Sequence, residues 1–258
     1  MTVPNVIAHR GASAHAPENT LAAFALAAGM GASFIETDLR CTRDGRFVLL
    51  HDARVNRTTD GRGRLTQLEL GKVRRLDAGS WFGRAFAGER IPTLEEGLAL
   101  AGELGLGIYL EMKIPLDTAP LSALAREFRP SDLDRVVFLS FRPAVLRAVQ
   151  AVEPRSQTAL LLRRARTSVV AAGAAGIRIL APHRKRMTKR LVGQARRAGL
   201  DVVTWTVNRR REMRKMLALG VDGIMTDWPD RLVEVLREKD KTWPLSLPGA
   251  LASIGRQR

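Results

Sequence analysis

Cysteine and tyrosine occur once each in this 258-residue chain, and aromatic residues make up only 5% of it. The single Cys41 excludes an internal disulfide and suits a reducing compartment. Sparse aromatics leave little capacity for stacking bases, which argues against a specific nucleic-acid partner. No apolar run approaches the length of a membrane span. Met1-Thr2-Val3-Pro4 leads almost at once into Val6-Ile7-Ala8, without the charged and then long apolar segments of a secretory leader. The expected location is therefore the cytoplasm. Negative charge is scarce as well, with 26 acidic residues against 42 basic ones. The imbalance is local, because residues 163–215 hold 16 basic and 2 acidic residues. Such a field attracts anionic substrates or an anionic membrane surface, where peripheral contact is a further expectation. The plainer reading places these residues, mostly arginine, on solvated helix faces.

Short apolar runs rich in β-branched residues alternate with longer helical patterns, the signature of repeated βα units. The strands are expected at 5–9, 34–39, 107–112, 135–139, 157–161, 177–181, 201–206 and 222–226, with a short additional strand at 46–50. Asn19-Thr20 is positioned to cap a helix through 29, and Thr93 one over Leu94–Leu104 with Glu95 and Glu96 in its first turn. Further helices fit 118–128, 143–151, 166–174, 188–199, 209–219 and 229–238. Eight such units in about 250 residues make a closed α/β barrel the leading fold, a TIM (β/α)8 barrel. An open doubly wound sheet fits less well, since no glycine-rich dinucleotide fingerprint follows the first strand. Residues 53–92 break the rhythm: they lack a helical period and carry six glycines together with Trp81, Phe82 and Phe86. They read as an insertion in the second βα unit, forming a small subdomain. The expected organisation is one domain over 1–240 and an irregular tail over 241–258.

Polar clusters stand at the ends of the strands: His9-Arg10-Gly11, Glu36-Thr37-Asp38, His51-Asp52, Glu111-Met112-Lys113 and Thr204-Trp205-Thr206-Val207-Asn208. Residues two apart on a strand share a face, so Glu36 points with Asp38 and Glu111 with Lys113. Two inward carboxylates repel each other and are costly to bury uncompensated. A hard divalent cation, Mg²⁺ or Ca²⁺, relieves that cost, with Glu111 as a third ligand. A salt-bridge network with Arg10, Arg40 and Lys113 is the alternative for the same carboxylates. His9 and His51 each close a strand beside acidic groups, where an imidazole can take or give a proton in phosphoryl chemistry. Arg10 and Lys113 suit the non-bridging oxygens of a phosphate. Pro17-Glu18-Asn19-Thr20 starts the first helix and shapes the pocket rim. His15 and His183 lack such context and read as structural.

In their order these clusters resemble the glycerophosphodiester phosphodiesterase family. The resemblance also takes in Thr42-Arg43-Asp44-Gly45, Ile91-Pro92-Thr93-Leu94-Glu95-Glu96, Ser140-Phe141 and Gly223-Ile224-Met225-Thr226-Asp227, and covers about residues 5–236. It implies a TIM barrel with the insertion after its second strand. It also implies one divalent cation on Glu36, Asp38 and Glu111, and acid–base catalysis by His9 and His51. Phosphate contacts would come from Arg10 and Lys113, and Trp205 would line the substrate side. The implied reaction is hydrolysis of a glycerophosphodiester to an alcohol and sn-glycerol 3-phosphate. Its nucleophile is water, or the glycerol 2-hydroxyl by way of a cyclic phosphate. Two other readings stay open at this point. One is a lysophospholipase D working at an anionic membrane surface; the other is a basic membrane- or nucleic-acid-binding protein without catalysis.

Overall fold

Strands that are apolar on both faces cannot stand at a solvent boundary, and here they close into a ring. A computed structural model describes residues 4–114, 121–163 and 169–239. Its strands are β1 (Asn5–His9), β2 (Phe34–Cys41), β3 (Phe47–Leu49), β4 (Gly107–Met112) and β5 (Val136–Ser140). They continue as β6 (Gln157–Leu162), β7 (Ile179–Pro182), β8 (Asp201–Thr204) and β9 (Gly223–Thr226). Eight of them pair in parallel in the order β1-β2-β4-β5-β6-β7-β8-β9, and β9 returns to β1. Helices on the outside connect them, giving the expected TIM barrel. The strand ends differ from expectation by at most two residues. The largest shortfall is at β8, because Trp205 makes only an isolated bridge to His183 and leaves the ladder.

The barrel interior is filled by Ile7, Phe34, Tyr109, Val137, Leu139, Ala159 and their neighbours, all buried. A larger apolar layer between strands and helices surrounds it. Register decides what meets at the open end. His9 pairs with Glu36 and Asp38 with Glu111, so residues far apart in sequence arrive at one level.

Thr20 accepts the amide of Ala23 and caps helix Leu21–Gly29. Thr93 and Glu96 form a reciprocal capping box that starts helix Leu94–Glu103, as the sequence pattern indicates. The helix expected at 118–128 is shorter: within the described residues it spans Leu121–Ala125, and a separate turn of helix at Pro130–Leu133 follows. Proline has no amide hydrogen to donate, so it suits the first turn of that second helix. Residues 118–120 and 166–168 of two expected helices lie outside the described residues, as does the tail expected at 241–258.

β2 runs beyond the ring, and its end pairs antiparallel with β3, Leu39 opposite Leu49. The insertion at 53–92 then folds as 3-10 turns at Val55–Arg57, Leu65–Gln67 and Arg84–Phe86 and a short helix at Leu70–Val73. It has its own core of Val48, Leu50, Val55, Leu65, Leu68, Val73, Ala78 and Ile91. Asp77 staples its loop by accepting the amides of Gly79, Ser80 and Gly88 at 2.7–2.8 Å. Part of the positive charge between 163 and 215 is absorbed in pairs between neighbouring elements: Arg184 with Glu212, Arg210 with Glu234, and Arg214 with Glu238. Among the described residues no helix is long and apolar enough to cross a membrane.

Candidate active site

The C-terminal ends of β1, β2 and β4 converge on one cleft enclosing about 470 Å³. His9, Arg10, Glu36, His51, Glu111, Lys113 and Trp205 all line it, and buried Asp38 lies beside Lys113 and Arg10. Every residue singled out from sequence for catalysis, cation binding or phosphate contact is therefore at this one place. An apolar hollow between helices Leu121–Ala125 and Pro143–Val152 lies in the outer layer, away from these groups.

One carboxylate oxygen from each of Glu36, Asp38 and Glu111 can be chosen so that all three lie within 4.8 Å of one another. Like charges at that spacing in a buried site are unfavourable, and the protonation preferences show it. Burial, reinforced by Asp38, pushes the Glu36 carboxyl up to about 8. Burial and Asp38 also raise Glu111. Burial acts on Asp38 as well, but Arg10, Lys113 and His51 outweigh it and hold Asp38 below the usual carboxylate range. Asn19 secures this residue by donating to Asp38 Oδ2 at 2.9 Å while accepting from the Thr37 hydroxyl at 2.7 Å. The other oxygen, Asp38 Oδ1, is buried and accepts no hydrogen bond among the described residues. Lys113 Nζ stands 3.3 Å from it and 2.8 Å from Glu111 Oε1. The ammonium thus supplies some of the positive charge that three carboxylates demand.

Each cleft histidine has its own carboxylate. His9 Nδ1 lies 2.6 Å from Asp227 Oδ1, and His51 Nδ1 lies 2.6 Å from Asp52 Oδ1. A carboxylate only accepts, so in both rings Nδ1–H donates and Nε2 remains for chemistry. His9 Nε2 points toward the carboxylates, 3.9 Å from Glu36 Oε2. The surroundings push the two imidazoles apart. Burial opposes protonation of His9, yet Glu36 and Asp227 prevail and hold it above its ordinary value. Burial, aided by Arg10 and Lys113, holds His51 below its ordinary value despite Asp38 and Asp52.

Backbone geometry delivers these groups. Arg10 and Asn19 both adopt the left-handed conformation, and Gly11 follows at φ 81°. A Cβ on Gly11 would fall 2.8 Å from the Ala23 carbonyl oxygen, so the β1 turn packs against the first helix only with glycine there. The amide of Arg10 then donates to Glu36 Oε2 at 3.1 Å. On the far wall, Trp205 Nε1 donates to the Ala181 carbonyl at 2.6 Å. Phe141 and His183 stand edge-on to the Trp205 ring, at 5.5 and 5.1 Å. His183 therefore backs the cleft wall. His15, in contrast, packs on Trp228 and pairs with Asp230.

Several contributors carried no assigned role in the sequence. Asp52 and Asp227 sit inside the quoted motifs, but only the fold shows which atom each one holds. Asn208 donates to Asp227 Oδ2 at 2.5 Å and Ser13 to Oδ1 at 3.2 Å, which fixes that carboxylate. Arg57, from the insertion, donates to Asp52 Oδ2 at 2.7 Å and to both oxygens of Glu18 at 2.7 and 2.8 Å. Glu18 in turn accepts from Arg10 at 3.0 Å. An unbroken chain of ion pairs thus runs from Arg10 through Glu18, Arg57 and Asp52 to His51. Hydrogen bonding from Arg57 holds Asp52 down at about 2. No spacing signal in the sequence distinguishes Arg57 from its many arginine neighbours.

Comparison with known proteins agrees with this geometry. The chain is 37% identical over 242 residues to a glycerophosphodiester phosphodiesterase of Caldanaerobacter subterraneus subsp. tengcongensis, covering 90% of this chain and 98% of that one. Its identity to a glycerophosphodiester phosphodiesterase of Bacillus subtilis is 34%, over 87% of this chain and 83% of the relative. Among solved structures, an Oleispira antarctica phosphodiesterase in complex with the product sn-glycerol-3-phosphate superposes with a TM-score of 0.84 at 29% identity, covering 91% of this chain and 97% of that one. A glycerophosphodiester phosphodiesterase from Agrobacterium tumefaciens gives 0.80 at 27% identity, with 89% and 99% covered. The profile of the glycerophosphoryl diester phosphodiesterase family matches residues 9–231, and the chain belongs to that family.

Proposed function

We propose that this cleft hydrolyses glycerophosphodiesters to an alcohol and sn-glycerol 3-phosphate, with a divalent cation held by Glu36, Asp38 and Glu111. The observation that carries the reading is a three-carboxylate cluster whose buried Asp38 oxygen accepts no hydrogen bond among the described residues and has only the Lys113 ammonium beside it, flanked by two histidine–carboxylate pairs. An oxygen-only donor set with excess negative charge fits Mg²⁺ or Ca²⁺. When bound, the cation supplies Lewis-acid stabilisation to the phosphate. Arg10 and Lys113 neutralise charge that builds on its non-bridging oxygens. Trp205 provides an apolar face for the organic half of the substrate.

The two histidines divide the proton transfers. Among the described residues Asp227 is bonded otherwise only by neutral donors, Asn208 and Ser13, so its full charge favours a protonated His9. Asp52 shares its charge with Arg57, which leaves His51 the more readily neutral partner. His51 therefore takes a proton from the attacking water as the new P–O bond forms. His9 gives its proton to the alkoxide as the P–O bond to the alcohol breaks.

The test is hydrolysis by metal-stripped protein with Mg²⁺ or Ca²⁺ added back, offering glycerophosphocholine and lysophosphatidylcholine side by side. Metal-dependent release of glycerol 3-phosphate from the first is expected. Lysophosphatidic acid from the second alone would replace this reading with a lysophospholipase D. Silence on both, with metal bound, would refute it.

A further inference from the structure

Among the described residues that line the cleft, Arg163 is a cation that the proposed reaction does not use. Arg163 follows the end of β6, and in the ring order β6 stands opposite β1. It lines the cleft from the side facing His9 and Arg10. Its guanidinium carbon is 5.5 Å from the centroid of the Phe141 ring, which itself stands edge-on to Trp205. Among the described residues no carboxylate lies within ion-pair distance of Arg163. The sequence accounts for this: between 163 and 215 the only acids are Asp201 and Glu212. Asp201 opens β8, at the opposite end of the barrel, and Glu212 is engaged by Arg184.

The surroundings are cationic as well. Burial and the Arg184, Lys185, Arg163 and Arg186 cations together hold His183, behind Trp205, below its ordinary value. A guanidinium held over an aromatic ring, with no counter-ion among the described residues, keeps its N–H fork for a ligand, and that fork matches phosphate or carboxylate. The diester's own charge is met across the cleft by Arg10 and Lys113. The glycerol half carries only hydroxyls, so a second charge has to lie on the alcohol half.

We propose that Arg163, stacked on Phe141, forms a subsite for an anionic group, phosphate or carboxylate, on the alcohol half of the diester. The preferred substrates are then glycerophosphodiesters with a second negative charge, and choline esters are poor ones. The subsite rests on the reading of the cleft as a glycerophosphodiesterase site.

Four diesters test it: glycerophosphocholine, glycerophosphoglycerol, glycerophosphoserine, and glycerophosphoglycerol bearing a terminal phosphate. The wild type, Arg163→Gln and Arg163→Glu are compared with saturating divalent cation at constant ionic strength. Arg163 is exposed, so these substitutions leave the core untouched. For the wild type, kcat/KM for the terminal phosphate ester is expected to exceed that for the choline ester by about tenfold, the scale of one charge-assisted contact. A carboxylate preference on glycerophosphoserine, without one for the terminal phosphate, would place a carboxylate in the subsite instead. Arg163→Gln should abolish the preference by raising KM for the anionic esters alone, and Arg163→Glu should reverse it. A wild type active on all four without preference overturns the subsite and leaves the glycerophosphodiesterase reading intact. Equal losses on every ester in Arg163→Gln also overturn it. A wild type inactive on all four refutes the glycerophosphodiesterase reading and the subsite with it.

Discussion

Cation binding in the cleft should expel a proton, and Glu36 sets how many. Its carboxyl titrates at about 8 in the metal-free fold, against an ordinary value of 4.5. A cation requires the carboxylate, so binding below pH 8 must displace the proton. From this group alone, about 0.9 proton is released per cation at pH 7 and about 0.5 at pH 8. Apparent affinity should fall about tenfold per pH unit between pH 7 and 6. Glu111, also raised, adds to the release, whereas Asp38, held low, is already ionised.

The same displacement governs stability. Between pH 4.5 and 8 the folded state holds a proton that the unfolded state has lost, so the metal-free fold loses stability as pH rises through that window. The full span corresponds to roughly 5 kcal/mol at 1.36 kcal/mol per pKa unit. Calorimetric titration of metal-free protein with Mg²⁺ or Ca²⁺, in buffers of different ionisation enthalpy, counts the protons. Thermal melts should show a larger cation-induced rise in Tm at pH 8 than at pH 6. Glu36→Gln should remove most of the proton release and flatten the pH dependence of affinity. Binding with no proton release and equal affinity at pH 6 and 8 would refute the reasoning.

Three further outcomes are expected. His9→Ala should lose most turnover on an alkyl diester but far less on a p-nitrophenyl diester, whose leaving group needs no acid, while His51→Ala should lose it on both; equal losses would refute the division of roles. Arg57→Lys cannot hold Glu18 and Asp52 together, so kcat should drop by about tenfold with little change in KM. With less of its charge drawn off, Asp52 would raise His51, moving the acid limb of the pH profile to higher pH; an unmoved limb would reduce Arg57 to a structural tie. Gly79→Ala places a Cβ 1.8 Å from the Phe86 carbonyl oxygen and should cost at least about 2 kcal/mol, seen in a melt as a fall of roughly 5 °C. Gly71→Ala, on a helix with open space around the new Cβ, should be neutral or stabilising.

The barrel was legible because parallel strands covered on both faces leave nearly continuous apolar runs, and polar clusters stand out at their ends. Helix starts were legible at Thr20 and Thr93, where the cap, and at Thr93 also the first-turn carboxylates, are local signals. Pattern failed where local chemistry is mixed. Residues 121–133 split into separate helices, and the glycine-rich insertion builds turns that have no period. The gathering of His9, Glu36, Asp38, Glu111 and Lys113 in one cleft follows from parallel register, which alternation and strand order imply, whereas His51 is brought in by the antiparallel β3. Their partners do not follow from pattern. Asp227 meets His9 across 218 residues, and Arg57 and Arg163 are two arginines among many until the fold supplies their neighbours.

Two separately built parts of the molecule meet at His51. His9, Glu36, Asp38 and Glu111 stand on barrel strands whose ladders lock their relative height. His51 does not: it follows β3, and Arg40 holds its carbonyl from β2 at 2.7 and 2.9 Å. Its ring is set by Asp52, which depends on Arg57, and Arg57 belongs to a segment with a core distinct from that of the barrel. Local stability varies across a structure with buried contact, so hydrogen exchange is expected to show the insertion opening at lower free energy than the ring. In such an opening the three carboxylates should keep their spacing and their affinity for a cation, while His51 should lose its orienting carboxylate and turnover with it. Parallel measurement of cation affinity and kcat under mild denaturant checks this. The ion-pair chain through Glu18 opposes this separation by fastening the insertion to Arg10, which follows His9 at the end of β1. On the proposed mechanism, acid–base chemistry would thereby depend on the docking of the insertion, and the cation site would not.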